Sequence, residues 1–228
     1  MKNLFARGGI EFLAVLLGIS GSLWMENNRQ VKLEDEQIYN TLYSLKEELV
    51  TLNEYSERYK NKILRDYKIC DQLLTDWGSN DIDSLVNQEL EGRDLILTIK
   101  AYRAFHPPIS IFNSLKSDGS IGLIKNPNIK TKINNVYEVS FSHIQEGVDN
   151  ERNLYQKLNE YIILNYPYLL IDDKSIKYKT ALTKFLNDEI ALAYIIEKNS
   201  MRNFLANLIS RYMIRVNDLN LLIDSHIK

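Results

Sequence analysis

The sequence predicts an all-α protein: an N-terminal transmembrane helix continuing into a long heptad-patterned helix, then a helical bundle. Three observations carry this. The 228 residues include only 9 Gly and 4 Pro, and strand-type alternation is nowhere sustained. Residues 12–25 (FLAVLLGISGSLWM) hold no charge. Beyond them, apolar residues recur in a 4-3 spacing through more than five heptads. The expected organisation is a transmembrane segment at 1–27, a long stalk and bundle helix at 28–78, and a helical sensor and oligomerisation domain at 79–228.

Extended back to Leu4, the apolar segment is about 22 residues, enough for a helix to cross a hydrocarbon core of roughly 30 Å. Arg7 and Glu11 sit inside it. A charge within a membrane helix faces a partner or water and marks a functional position. Two other readings stand beside the spanning one. Lys2, Arg7 and the small Ser20-Gly21-Ser22 suit a signal peptide, although Glu11 interrupts its core. An interfacial amphipathic helix is the third, although 12–17 offers no polar face.

Arg7, Glu11, Ala14, Gly18, Gly21 and Ser22 step by three or four and so share about a third of the helix circumference. Ala14, Gly18 and Ser22 form a doubled small-xxx-small pattern, which lets helix backbones approach closely in lipid. Phe12, Val15, Leu16, Ile19 and Leu23 lie elsewhere and suit acyl chains; Trp24 suits the membrane interface. The plainer interpretation is an anchor that dimerises. The fuller one is an oligomer in which Glu11, Ala14, Gly18, Gly21 and Ser22 face a shared polar axis. Lys2 and Arg7 on one side and Arg29 and Lys32 on the other barely set an orientation. The single Cys70 excludes an internal disulfide and favours a body in a reducing, cytoplasmic compartment.

The heptad seam reads Ile38, Leu42, Leu45, Leu49, Leu52, Ser56, Tyr59, Ile63, Asp66, Cys70, Leu73, Trp77, and only Ser56 and Asp66 break its apolar character. Tyr55, Tyr67, Ile69 and Leu74 flank it where a two-stranded zipper would place charges, so 55–77 is expected to pack inside the chain. The narrower 38–52 stretch is open to pairing between subunits. Gly78-Ser79-Asn80-Asp81 ends the helix.

Phe105-His106-Pro107-Pro108 is a rigid break. A short helix follows to Gly119. Asn126-Pro127 reads as an N-cap with Pro in the first turn, opening a helix that stops before Pro167. Residues 164–171 read as a buried connector, 176–186 as a helix, and the last helix starts near Asp188. The body is thus a bundle of about five helices.

His106, His143 and His226 are scattered, and no metal-ligand spacing, phosphate loop or nucleophile elbow appears. An enzyme is not expected, nor a cofactor or bound metal. The net charge of -2 gives no general reason for nucleic-acid binding. Two lysine clusters are candidate anion sites: Lys116, Lys125, Lys130 and Lys132 near the Gly119 turn, and Lys177 and Lys179 around Tyr178, whose ring has the chemistry to stack on a base. A solvated basic face is the alternative for each. Arg202, Arg211 and Arg215 are expected to make ordinary surface pairs.

Some of these residues carry a resemblance. Gly9-Ile10-Glu11 and Glu26-Asn27-Asn28 resemble the Gly-Glu start and Asn-rich exit of a family of small bacterial single-pass membrane proteins of unassigned function. Phe112, Leu115, Lys116, Ser117 and Gly119 match that family's Phe-x-x-Leu-Lys-Ser-x-Gly turn. Leu123, Ile124, Asn126 and Tyr137 match the helix that follows. The likeness covers Gly9 to about Tyr137 and implies a bacterial inner-membrane location. By size, helix order and the charged membrane segment, the chain also looks like the membrane effectors of the Hailong anti-phage defence system. That likeness implies a tetrameric, ligand-gated pore controlled by a nucleotide or short single-stranded DNA from a partner nucleotidyltransferase. It carries over no binding residue.

Overall fold

The computed structural model describes residues 2–87, 94–171 and 175–227, with side chains from Phe12 onward except that of Ala14. All secondary structure among them is helical. α1 is one unbroken helix, Lys2–Thr75, about 110 Å long at 1.5 Å per residue. It joins the apolar N-terminal segment to the heptad seam without a kink-forming Pro. Gly78, at a φ of 78°, takes the left-handed turn that closes it.

The short helices α2 (Ile82–Val86), α3 (Leu95–Lys100), α4 (Ser110–Ser117) and α5 (Ser120–Leu123) follow. α6 (Pro127–Asn134) starts on Asn126, whose side chain accepts from the amides of Asn128 and Ile129, as the Asn-Pro pair predicts. It runs through a π-helical stretch, Asn135–Ser140, into α7 (Phe141–Asn165). A 3-10 turn, Pro167–Leu170, leads to α8 (Ile176–Phe185) and to the long α9 (Glu189–Ile227).

The body is three long helices with short ones capping its ends. Ion pairs and hydrogen bonds between side chains fix their directions. α9 runs antiparallel to α1, with Asp224 on Lys46 and Arg202 against Cys70. α7 also runs antiparallel to α9, with Ser140 on Arg215 and Glu151 on Arg202. From Leu42 to Leu73 every seam position is buried, Ser56 and Asp66 included. Ser56 is satisfied by donating to the Leu52 carbonyl at 2.8 Å. Two apolar clusters result. One joins Leu42–Ile63 positions of α1 to Val136, Ile144, Tyr212 and Leu219. The other joins Cys70 and Leu73 to Ile99, Leu158, Phe185 and Ile195.

Two expectations are corrected. The 38–52 stretch is not left for a second subunit: Leu42, Leu45, Leu49 and Leu52 are sealed against the chain's own α9 and its neighbours. Residues 164–171 are not a buried connector. Only Leu169 is buried, while Leu164, Leu170 and Ile171 are exposed, because the 3-10 turn presents one residue in three to the core.

Candidate functional site

Three features could carry function: the free part of α1, a buried charged hub, and a cleft beside α1. The first follows from where packing stops. α9 ends beside Asp35 and Ile38 of α1, where Ile227 and His226 line a shared groove. Leu33 and Glu36 border Leu115 of α4 in a neighbouring groove; N-terminal to Leu33, the described residues 12–32 pack on no other element. Every described residue from 12 to 37 is exposed except half-buried Asn28. The stretch 12–32 is about 32 Å of bare helix. It shows Phe12, Val15, Leu17 (69% exposed), Ile19, Leu23 and Trp24 (67% exposed) on all sides. Soluble monomers rarely leave so large a contiguous apolar surface uncovered.

Gly18 and Gly21 have open space where a Cβ would stand, and Ser22 donates to its own helix at the Ile19 carbonyl. Among the described residues, nothing packs on Gly18, Gly21 or Ser22. Glu11 and Ala14 lie outside the described side chains. Among the described residues, no helix is long and apolar enough to cross a membrane; the described run 12–25 is itself shorter than the roughly 20 residues a span requires.

The hub sits where α1, α3, α7 and α9 meet. Arg202, expected on the surface, is 1% exposed. Its Nε donates to Glu151 Oε1 at 3.2 Å and its Nη1 to the Asp66 carbonyl and to Cys70 Sγ at 2.9 Å. Its Nη2 reaches the carbonyls of Thr98, Ile99 and Ala101. A planar guanidinium with five N–H donors is the side chain able to gather so many acceptors, including the orphan carbonyls ending α3. Lys198 donates to the Ala101 carbonyl at 2.9 Å and to Glu151 at 3.2 Å. Burial lowers its pKa to about 8, against the pull of Glu151. Burial raises the Cys70 thiol, against the pull of Arg202. Asp66 holds Arg103 with two bonds of 2.6 and 2.9 Å. That explains a carboxylate in the seam: it ties the 101–109 segment to α1. Periodicity marks Asp66 as an anomaly, but no local signal marks Arg202 or Lys198.

The third feature is a 320 Å³ cleft lined by Tyr55, Arg58, Tyr59, Lys62, Tyr102 and Arg103. Three cationic heads and three phenol rings meet there with no carboxylate in the lining. Arg103 is spent on Asp66, and Arg58 lies 3.8 Å from Glu54. Lys62 has no ion pair among the described residues. Tyr59 donates to the Arg103 carbonyl, and the Tyr55 hydroxyl accepts from the His106 amide. The rings and the chain break are therefore fixed to each other. Cations beside aromatic faces suit a phosphate attached to a flat ring.

The predicted lysines lie elsewhere, each with a partner. Lys116 meets Glu138 at 2.5 Å, Lys125 meets Asp35 at 3.2 Å, and Lys132 meets Asp218 at 3.5 Å. Lys130 donates to the Gly122 carbonyl at 2.9 Å, and Lys179 meets Asp83 at 2.6 Å. Lys177 lies 5.3 Å from the centre of the Tyr168 ring and lines a second, more apolar cleft of 340 Å³. Tyr178 is buried, so it is no surface platform for a base. Among the described residues, no group of His, Cys, Asp and Glu could hold a metal ion.

No family model, no curated protein and no solved structure matches this chain.

Proposed function

We propose that this protein is a membrane-anchored homo-oligomer whose N-terminal helices pack along Ala14, Gly18, Gly21 and Ser22, with Glu11 toward the shared axis. The body reads a cytoplasmic nucleotide or short single-stranded DNA in the Tyr55–Lys62–Tyr102 cleft. It passes the signal along α1 to an ion-permeable pore. The resemblance to anti-phage membrane effectors supplies the setting, a bacterial inner membrane whose opening stops phage growth, and a tetramer as the subunit count.

One observation carries this reading. α1 is a single helix that is bare and apolar over 12–25 and locked in the bundle core from Leu42 to Leu73. A movement of the body therefore has a rigid route to the membrane end. Arg58 and Lys62 of the cleft lie on that same helix, so a ligand there acts directly on it.

Ion flux from liposomes holding the purified protein tests the proposal. Wild type should conduct in a ligand-dependent way. Gly18→Leu, which blocks close helix approach, and Glu11→Gln should each change flux at least tenfold, and Lys62→Glu should abolish the ligand response. Wild-type flux in Gly18→Leu and Glu11→Gln would end the pore reading. A protein that stays in the membrane but never conducts would be a tethered helical scaffold instead.

A further inference from the structure

We infer that the body holds a second ligand site, an oxyanion pocket for a phosphate group, between α7 and α9. It is distinct from the tyrosine-lined cleft and independent of pore formation.

The starting point is a pattern of pairing. Arg29, Arg58, Arg65, Arg103, Arg152 and Arg202 each have a carboxylate partner. Arg211 and Arg215 have none among the described residues. They lie one turn apart on α9, so both face the same way, and like charges at that spacing repel. Both line one 80 Å³ cavity together with His143, Ser140 and Tyr212, and no carboxylate lines it. These two arginines, which lack a carboxylate among the described residues, thus converge on a space suited to an anion.

The size sets the ligand class. The cavity has room for a few water molecules, or for one tetrahedral oxyanion, and not for a nucleobase. Guanidinium forks match the paired oxygens of a phosphate. The backbone beside the pocket is also unusual. Asn135–Ser140 is π-helical, a form that recurs at functional sites. Ser140 donates to the Asn135 carbonyl five residues back, at 2.6 Å, and its oxygen accepts from Arg215 Nη1 at 2.5 Å. The widened turn thereby fixes one arginine at the cavity wall. Arg211, exposed as Arg215 is, has no such tether among the described residues and is in position to close over an incoming anion.

Thermal melting of the full-length protein in detergent tests this, with inorganic phosphate and adenosine monophosphate as probes against chloride at equal ionic strength. Phosphate should raise the melting temperature of wild type in a saturable way. Arg211→Gln and Arg215→Gln should each weaken the apparent affinity at least tenfold. The double substitution should leave only the general salting effect of phosphate. Binding of both probes would mean that a phosphate ester enters; binding of inorganic phosphate alone would mean that the pocket closes on the free ion. An unsaturable rise that is equal in wild type and the double variant would overturn the inference, as would the absence of any rise. Lys62→Glu should leave this response intact, which separates the pocket from the cleft.

Discussion

Arg202 shows how one side chain can govern a junction that periodicity does not reveal. It spans Glu151, the end of α3 and two turns of α1. Arg202→Met should cost about 3–5 kcal/mol, because it removes one of the two cations that hold buried Glu151 and leaves several carbonyls without partners; denaturant unfolding in detergent measures it. Arg211→Gln on the same helix should change stability by under about 0.5 kcal/mol. Lys198 gives a pH signature. Its folded pKa, about 8, lies below its ordinary 10.5, so the unfolded chain holds more protons between these values. Stability should therefore rise from pH 8 toward 9, above which the buried Cys70 thiol, held protonated in the fold beyond its ordinary 9, works against the rise. Above pH 10 it should fall, since burial keeps Tyr59, Tyr137 and Tyr212 protonated beyond their usual 10. Melting temperatures of Lys198→Met should lose the rise and keep the fall. Gly147 is a packing point, where a Cβ would stand 2.7 Å from Leu205 Cδ2. Gly147→Ala should cost about 1–3 kcal/mol, and Leu205→Val should restore part of it.

Helix boundaries depend on side chains that come from other helices as well as on local caps. Asn126 and Pro127 announce α6 in the sequence, and the structure follows them. α4 has no side-chain cap of its own; Glu48, buried on α1, accepts from the amides of Ile111 and Phe112 at 2.6 and 3.1 Å. That distant capping was invisible to a local reading, which sees Glu48 only as a charge beside the seam. Asp188 does similar work at α9. Its Oδ1 accepts from the amides of Ile190 and Ala191, and its Oδ2 from the hydroxyls of Tyr161 and Tyr166. Burial opposes its charge, and these bonds outweigh it to hold the pKa low. Asp188→Ala should cost at least about 1–2 kcal/mol, read as a lower unfolding midpoint. The seam of α1 was legible because 4-3 spacing is a one-helix property. The assignment of 38–52 to the body was not, because an apolar stripe does not say whether its cover is α9 or another copy.

At the scale of the whole molecule, the helical class and the long first helix are legible in composition and spacing. The cleft at Tyr55 and the pocket at Arg211 are not, since each gathers residues more than 40 positions apart. The partners of the lysine clusters were hidden for the same reason: several lysines that neighbour one another in sequence meet acids from other elements, as Lys125 meets Asp35. What remains unpartnered among the described residues is the stretch 12–32 of α1. The account rests on that helix lying in lipid against its own copies through Gly18 and Ser22. Oxidative cross-linking in native membranes measures it most directly, with single cysteines placed along 12–25 in a Cys70→Ser background. Gly18→Cys and Ser22→Cys should give disulfide-linked species while Leu17→Cys and Ile19→Cys give few, with the protein recovered only by detergent. Equal cross-linking at all four positions, or release of the protein without detergent, would contradict it.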